Sequence, residues 1–368
     1  MSDSEFGTST FNASNVDLST ADPKDVICAL NHSDNEYNGQ LGARISALFV
    51  IMILSSCATF FPVLAKRVPR LRIPTSVYLF ARYFGAGVIV ATAFIHLLDP
   101  AYSEIGPDTC VGMTGGWADY SWCPAIVLAS VMFIFLLDFA AERYVEKKYG
   151  VSGESNVELA VTGENGDANG NARSGSLPIR HVAEMYNKGF EEEFEEDETS
   201  QAAREHSFRQ QIAAFLILEF GVIFHSVIIG LNLGVAGDEF STLYVVLVFH
   251  QSFEGLGIGA RMSVIPFKKG SWLPWLLCAA YGLTTPIAIA IGLGLRTTYN
   301  SGSFTASVVS GVLDSLSAGI LMYTGLVELL ARDFIFNPNR TNNDKRLAFM
   351  VVCVFLGAGL MALLGKWA

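Results

Sequence analysis

The chain has 368 residues, 51% hydrophobic and 16% charged, with a formal net charge of −11. A soluble domain carries about a quarter charged residues, and here the apolar residues run in long unbroken blocks, which excludes a soluble globular fold and predicts an all-α polytopic membrane protein. No basic tract is long enough for nucleic acid, so the lipid bilayer is the first partner the composition predicts.

Residues 1–41 are polar and hold no apolar core followed by a cleavage site. They are expected to form an extracytosolic tail, with the first span serving as its own insertion signal. Two sequons, Asn12-Ala-Ser14 and Asn31-His-Ser33, fall in this tail and are candidate glycosylation sites.

Eight apolar blocks follow, at roughly 42–65, 77–98, 124–146, 211–234, 241–262, 272–295, 303–330 and 347–365. Each reaches the ~20 residues that a spanning helix requires. Residues 42–147 thus carry transmembrane helices 1–3 and residues 211–368 helices 4–8. Glycines recur inside the blocks (Gly85, Gly87, Gly230, Gly234, Gly255, Gly259, Gly357) and are read mainly as packing residues, because small side chains let helices approach closely in lipid.

Lysine and arginine alternate between loops. Lys66, Arg67, Arg70 and Arg72 follow the first span, residues 99–123 have none, Lys268 and Lys269 follow the fifth, and Arg332, Arg340, Lys345 and Arg346 follow the seventh. The positive-inside rule then places both termini outside the cytosol. The connection 148–210 faces the cytosol, and its Gly, Asn, Ser and Glu content predicts a largely disordered loop, with an acidic run from Glu191 to Glu198. Cys110 and Cys123 are candidates for an external disulfide, with Cys28 an equally available partner.

The polar residues within the spans carry the functional signal. The fourth span reads His225-Ser-Val-Ile-Ile-Gly230-Leu-Asn232-Leu-Gly234, and the fifth His250-Gln251-Ser-Phe-Glu254-Gly255. An ionisable residue in a bilayer is costly and marks a functional site by default. His250 and Glu254 share a helix face. His225 and His250 lie at similar depth on antiparallel neighbours, so both imidazoles can converge on one ion, with Ser226 and Gln251 as adjacent oxygen donors. Nitrogen and carboxylate ligands suit Zn²⁺, and also Fe²⁺ or Mn²⁺. The competing reading is a hydrogen-bonded histidine pair inside a helix bundle.

Further polar residues extend the pattern. His96 and Asp99 close the second span at its outer end, either as an entry site or as an interfacial pair. Asn232 lies on the face of His225, nearer the outside, as a pathway residue or a packing contact. Asp314 in the seventh span is a pathway ligand or a buried acid bonded to Ser310 and Ser317. Glu219, Asp138, Glu142 and Glu328 lie toward cytosolic helix ends; Glu219 is the candidate exit ligand and the others read as snorkelling or interfacial. Pro286 is expected to interrupt the sixth span.

These motifs resemble the ZIP family of zinc and iron transporters, most closely its fungal and plant branch. The resemblance covers about residues 42–368 apart from the variable loop. It implies eight spans, external termini, and a metal site at His225, Ser226, His250, Gln251 and Glu254. Two-metal relatives place a glutamate where this chain has Ile229, which argues for a single ion. Many members also carry a histidine-rich loop, whereas here the loop holds His181 and His206 beside its acidic run.

The leading expectation is a divalent-metal importer, with Zn²⁺ as transported substrate and no cofactor, in the plasma membrane. The alternatives are an intramembrane zinc hydrolase drawing on His96, His225 and His250, and a metal-sensing receptor. A second copy of the chain is a candidate partner.

Overall fold

The computed structural model describes residues 21–31, 37–68, 73–149, 198–268, 270–336 and 341–367. Within them, eight helices are long and apolar enough to cross a membrane. Helices prevail because lipid offers no partner to backbone N–H and C=O groups, so each segment must satisfy its own. A short helix α1 (Pro23–Asn31) precedes the first span, α2 (Leu41–Arg67). The second span joins α3 (Thr75–Ala91), a π-helical turn (Thr92–Leu98) and α4 (Asp99–Ile105). The third to sixth are α5 (Trp122–Tyr149), α6 (Glu198–Val235), α7 (Phe240–Val264) and α8 (Leu273–Leu295). The seventh joins α9 (Phe304–Tyr323), a second π-helical segment (Thr324–Ala331) and α10 (Arg332–Phe334), and the eighth is α11 (Asp344–Leu364).

The second and seventh spans are each 61% buried, against 17% for α5 and 22% for α11. The π-containing spans therefore form the interior, while α5 and α11 present exposed faces such as Phe133, Leu136, Val352 and Phe355, the surface that suits lipid. α7 packs between α2 and α3, α6 against α8 and α9, and α11 against α3.

The glycines set these contacts. A Cβ on Gly85 would overlap the backbone of Gly257, and one on Gly259 the Thr59 carbonyl. Gly87 and Gly357 fit α3 and α11 together, Gly230 and Gly234 fit α6 to α8, and Gly255 lies against Ser55 and Thr59. All seven glycines singled out in the sequence sit at such close approaches, as the packing reading expects.

Three features differ from the sequence reading. Asp99-Pro100 looked like the end of the second span, yet the helix runs to Ile105. Pro100 follows directly on the π-helical turn, in the first turn of α4. The helix that carries the fourth span begins at Glu198, ahead of the span itself at Gln211–Val235, so residues 198–210, assigned to the disordered loop, are helical; residues 150–197 lie outside the described residues. The sixth span runs unbroken through Pro286.

The disulfide expectation is corrected. Cys110 pairs with Cys28, tying α1 to the segment after α4. Cys123 is a buried free thiol, seated at the start of α5 with its Sγ 3.5 Å from Ser315 Oγ, on the inner side of that connection. Asn12 lies outside the described residues; Asn31 ends α1, and the rest of its sequon is likewise outside them.

Candidate metal site

α6 brings His225 and Ser226 into the bundle, and α7 brings His250, Gln251 and Glu254; all five are at most 1% exposed. The clamp of α7 glycines on α2 and α3 fixes the rotation of α7 and leaves the edge bearing His250 and Glu254 facing α6 and the second span.

His225 Nε2 lies 3.2 Å from His250 Nε2, and His250 Nε2 lies 3.7 Å from Glu254 Oε1. One ligand atom from each of the three residues falls within 4.8 Å of the others. Two ligands each about 2.0–2.1 Å from a tetrahedral Zn²⁺ stand about 3.3 Å apart. The His225–His250 and His250–Glu254 separations are thus near the spacing of two ligands on one ion.

Hydrogen bonding separates the ion reading from the histidine-pair reading. A single imidazole–imidazole hydrogen bond would account for the 3.2 Å contact. It would leave Ser226 Oγ and Gln251 Nε2 buried without a partner, and the Glu254 carboxyl with only the neighbouring Thr92 hydroxyl. Buried polar groups normally find partners, and each orphan costs on the order of 1–3 kcal/mol. A cation at this point would use the carboxylate and the hydroxyl together with the imidazoles. Gln251 is less free than the sequence implied, since its Oε1 accepts a 2.8 Å hydrogen bond from the Tyr281 hydroxyl.

His96 departs from its expected place. It sits in the π-helical turn, buried, with its ring 4.6 Å from that of His250 and Nε2 3.0 Å from the Met361 carbonyl. It is mid-span because the helix continues past it to Ile105. Asp99 is exposed, so the structure separates the pair that the sequence grouped. Asn232 is half-buried, two turns beyond His225 on α6. Asp314 is buried with Oδ1 unpartnered, and Ser317 Oγ is likewise unpartnered. Glu219 is 2% exposed, lacks a hydrogen bond to either oxygen, and lies near Cys278 of α8. Ile229 is half-buried and packs against the apolar cluster that includes Leu233, Phe240, Leu247 and Ile289.

Sequence reasoning missed two groups. Thr92, in the π-helical turn, lies beside the Glu254 carboxyl. Its signal was its place one turn before His96. Glu328, read as interfacial, is buried in the second π-helical segment, 2.8 Å from Arg332 Nη1 and 3.5 Å from Arg261 Nη2. Arg332 also reaches Asp138, which accepts a hydrogen bond from Tyr323. Arg261 lies two turns along α7 from Glu254, so these charges close the end of the bundle opposite the described chain ends.

Residues 41–365 match the family described as ZIP Zinc transporter, nearly the whole chain. The chain belongs to this ZIP family. It is 58% identical to Zinc-regulated transporter 1 of Saccharomyces cerevisiae, with 96% of each chain covered. It is 40% identical to Zinc-regulated transporter 1 of Schizosaccharomyces pombe, over 91% of this chain and 88% of that one. A plant relative, Zinc transporter 9 of Oryza sativa subsp. japonica, is 32% identical over 95% and 96% of the two chains. The ZIP match spans both the α2–α5 and the α6–α11 halves, so it covers every residue of the candidate site.

Proposed function

We propose that this chain carries Zn²⁺ across a membrane into the cytosol through the site formed by His225, His250 and Glu254. The reading rests on one observation above all: three buried ligand groups with donor atoms within 4.8 Å of one another, next to the unpartnered Ser226 Oγ and Gln251 Nε2. The family and the zinc transporters to which the chain is similar support zinc as cargo. Fe²⁺ and Mn²⁺ compete for the same ligands with lower intrinsic affinity. Ser226 and Thr92 supply hydroxyls at the site, Gln251 positions the α7 face through Tyr281, and Glu219 receives the ion on its way to the cytosol.

In this reading both termini face the outside of the plasma membrane, as the lysine and arginine distribution favours. The ion enters from the end bearing α1 and leaves past the Arg261–Glu328–Arg332 charges. Passage through a bundle closed around the site requires alternating access, with helices on the two sides of His225 and His250 moving against each other. Two imidazoles and one carboxylate leave a fourth position open, which suits an ion that must be released. Zinc uptake into proteoliposomes, with iron and manganese as competitors, tests the assignment. Uptake that survives His250→Ala would refute it.

A further inference from the structure

The connection between the second and third spans encloses a cavity that the metal site does not use. About 170 Å³ lies between the end of α4, residues 106–121 and the start of α5, with Tyr102, Trp117, Asp119, Tyr120, Trp122 and Cys123 in its wall. The frame of this cavity is tied at several points. The Cys28–Cys110 disulfide anchors it to α1. Thr109 Oγ1 donates to Gly106 O and accepts from Gly112 N, and Thr114 Oγ1 donates to Cys110 O. Ala101, Ile105, Val111 and Cys123 form a small buried core beside it.

The aromatic side chains suit a particular chemistry. Trp122 meets two other rings at steep angles, Trp117 at 5.9 Å and 64° and Tyr120 at 5.4 Å and 76°. Trp122 Nε1 donates to Gly116 O at 2.8 Å, so the only polar group of that side chain is already used. Yet Trp122 is 41% exposed and Tyr120 61%. What Trp122 has left to offer a ligand is its π face, whose negative potential attracts a cation within about 6 Å of the ring centre. Asp119 adds a carboxylate to the same wall, and residues 99–123 hold four carboxyls with no lysine or arginine. The surroundings therefore favour a ligand that is positive and apolar at once. A divalent metal ion does not fit, because it takes nitrogen, oxygen or sulfur ligands. A quaternary ammonium does fit: it demands no hydrogen bond, and clustered aromatic rings are its usual receptor.

Position selects the source of that ammonium group. The cavity lies where two spans end, and tryptophan and tyrosine gather at the level of lipid headgroups. Farther along α5, Leu128, Met132 and Phe135 lie exposed on one face, at the level of the acyl chains. A ligand with an ammonium head and an apolar tail uses both features. A choline phospholipid is such a ligand, and its phosphate stays on the water side, where no basic partner is required.

We propose that this cavity binds the choline headgroup of a phospholipid. Trp117, Tyr120 and Trp122 receive the trimethylammonium group, Asp119 supplies its counter-charge, and an acyl chain lies along α5. The bound lipid holds the connection between the second and third spans against the leaflet. The site is separate from the histidines and does not depend on the transport reading.

Two measurements on the full-length protein in detergent test it. In the first, the protein is given an equimolar mixture of phosphatidylcholine and phosphatidylglycerol with identical chains, and the retained lipid is counted by native mass spectrometry. The wild-type protein is expected to retain phosphatidylcholine over phosphatidylglycerol by about tenfold, and the Trp122→Leu/Tyr120→Leu double variant by less than about twofold. Equal retention of the two lipids by the wild type, or an undiminished preference in the variant, overturns the proposal. Should the double variant fail to fold, Tyr120→Leu and Asp119→Asn, both at exposed positions, supply the same readout, each lowering the preference by about threefold. In the second, unfolding temperature is followed with phosphatidylcholine or with choline chloride. Phosphatidylcholine is expected to raise it in the wild type and not in the variant, and choline alone to leave it unchanged. Stabilisation by choline equal to that by phosphatidylcholine overturns the lipid assignment.

Discussion

The clusters around His250 and around Arg44 are both buried, polar and enclosed by apolar helices, yet their hydrogen bonding is opposite. Arg44 is fully buried at the start of α2. Its guanidinium donates to the carbonyls of Leu233, Gly234 and Ala236 at the end of α6, and to Asn38 Oδ1, while Nε donates to Gly39 O. It also stacks over Phe240 at 4.3 Å and Tyr37 at 4.8 Å. Every donor group is used, and the carbonyls it caps would otherwise be the orphan ends of a helix. Around His250, by contrast, Ser226 Oγ and Gln251 Nε2 have no partner, and the Glu254 carboxyl has only the Thr92 hydroxyl beside it. A buried polar cluster whose valences are filled holds the fold, and one whose valences are open receives a ligand.

This contrast can be broken from either side. The largest effect is expected at the open cluster: His250→Ala or Glu254→Ala should reduce zinc uptake to background while the protein reaches the membrane in normal amount, measured by uptake beside surface labelling. Near-normal uptake in either variant would remove that residue from the site. At the filled cluster, Arg44→Ala should act on stability instead. It strands three carbonyls of the α6 terminus, a loss of about 3 kcal/mol or more. A lower unfolding temperature in detergent is expected, with the zinc KM of the surviving protein unchanged. A shift in KM without loss of stability would mean that Arg44 acts on the ion and not on the fold.

Ile229→Glu sharpens the same point at an intermediate level. The half-buried side chain packs against the apolar cluster that includes Leu233, Phe240, Leu247 and Ile289, so a carboxylate there meets apolar neighbours. A stability loss of about 1–3 kcal/mol is expected. The count of tightly bound zinc between α6 and α7 should remain one. A second zinc appearing there in the variant would show that position 229 can swing toward His225. The smallest effect is expected from removing residues 155–195, which leaves α6 intact from Glu198. Their composition offers few strong ligands, and initial uptake rates should stay within about twofold of the full chain. Complete loss with normal surface expression would place that segment in the pathway.

Much of this was legible in the sequence for a plain physical reason. A bilayer demands long apolar helices, and a polar residue within one stands out against its cost. His225, His250 and Glu254 were therefore visible as spacing on two adjacent spans, and the structure brings their ligand atoms together. The glycines were visible as packing residues, because only small side chains permit the approaches seen at Gly85, Gly259 and Gly357.

Other features depended on contacts between segments distant in the chain. His96 was misplaced because Asp99-Pro100 has the local chemistry of a helix end, whereas packing against α9 carries the span on to Ile105 through a π-helical turn. A π-helical turn has no clear residue signature, so Thr92 and Glu328 could not be oriented from spacing alone. Cysteine spacing likewise left two partners open for Cys110; the position of α1 relative to the segment after α4 decides for Cys28. The sequence by itself determined which side chains must avoid lipid, since that follows from transfer cost residue by residue. Only the tertiary structure decided which of them satisfy one another and which are left open for an ion, since hydrogen-bond partners separated by as many as 265 residues meet only when the helices pack.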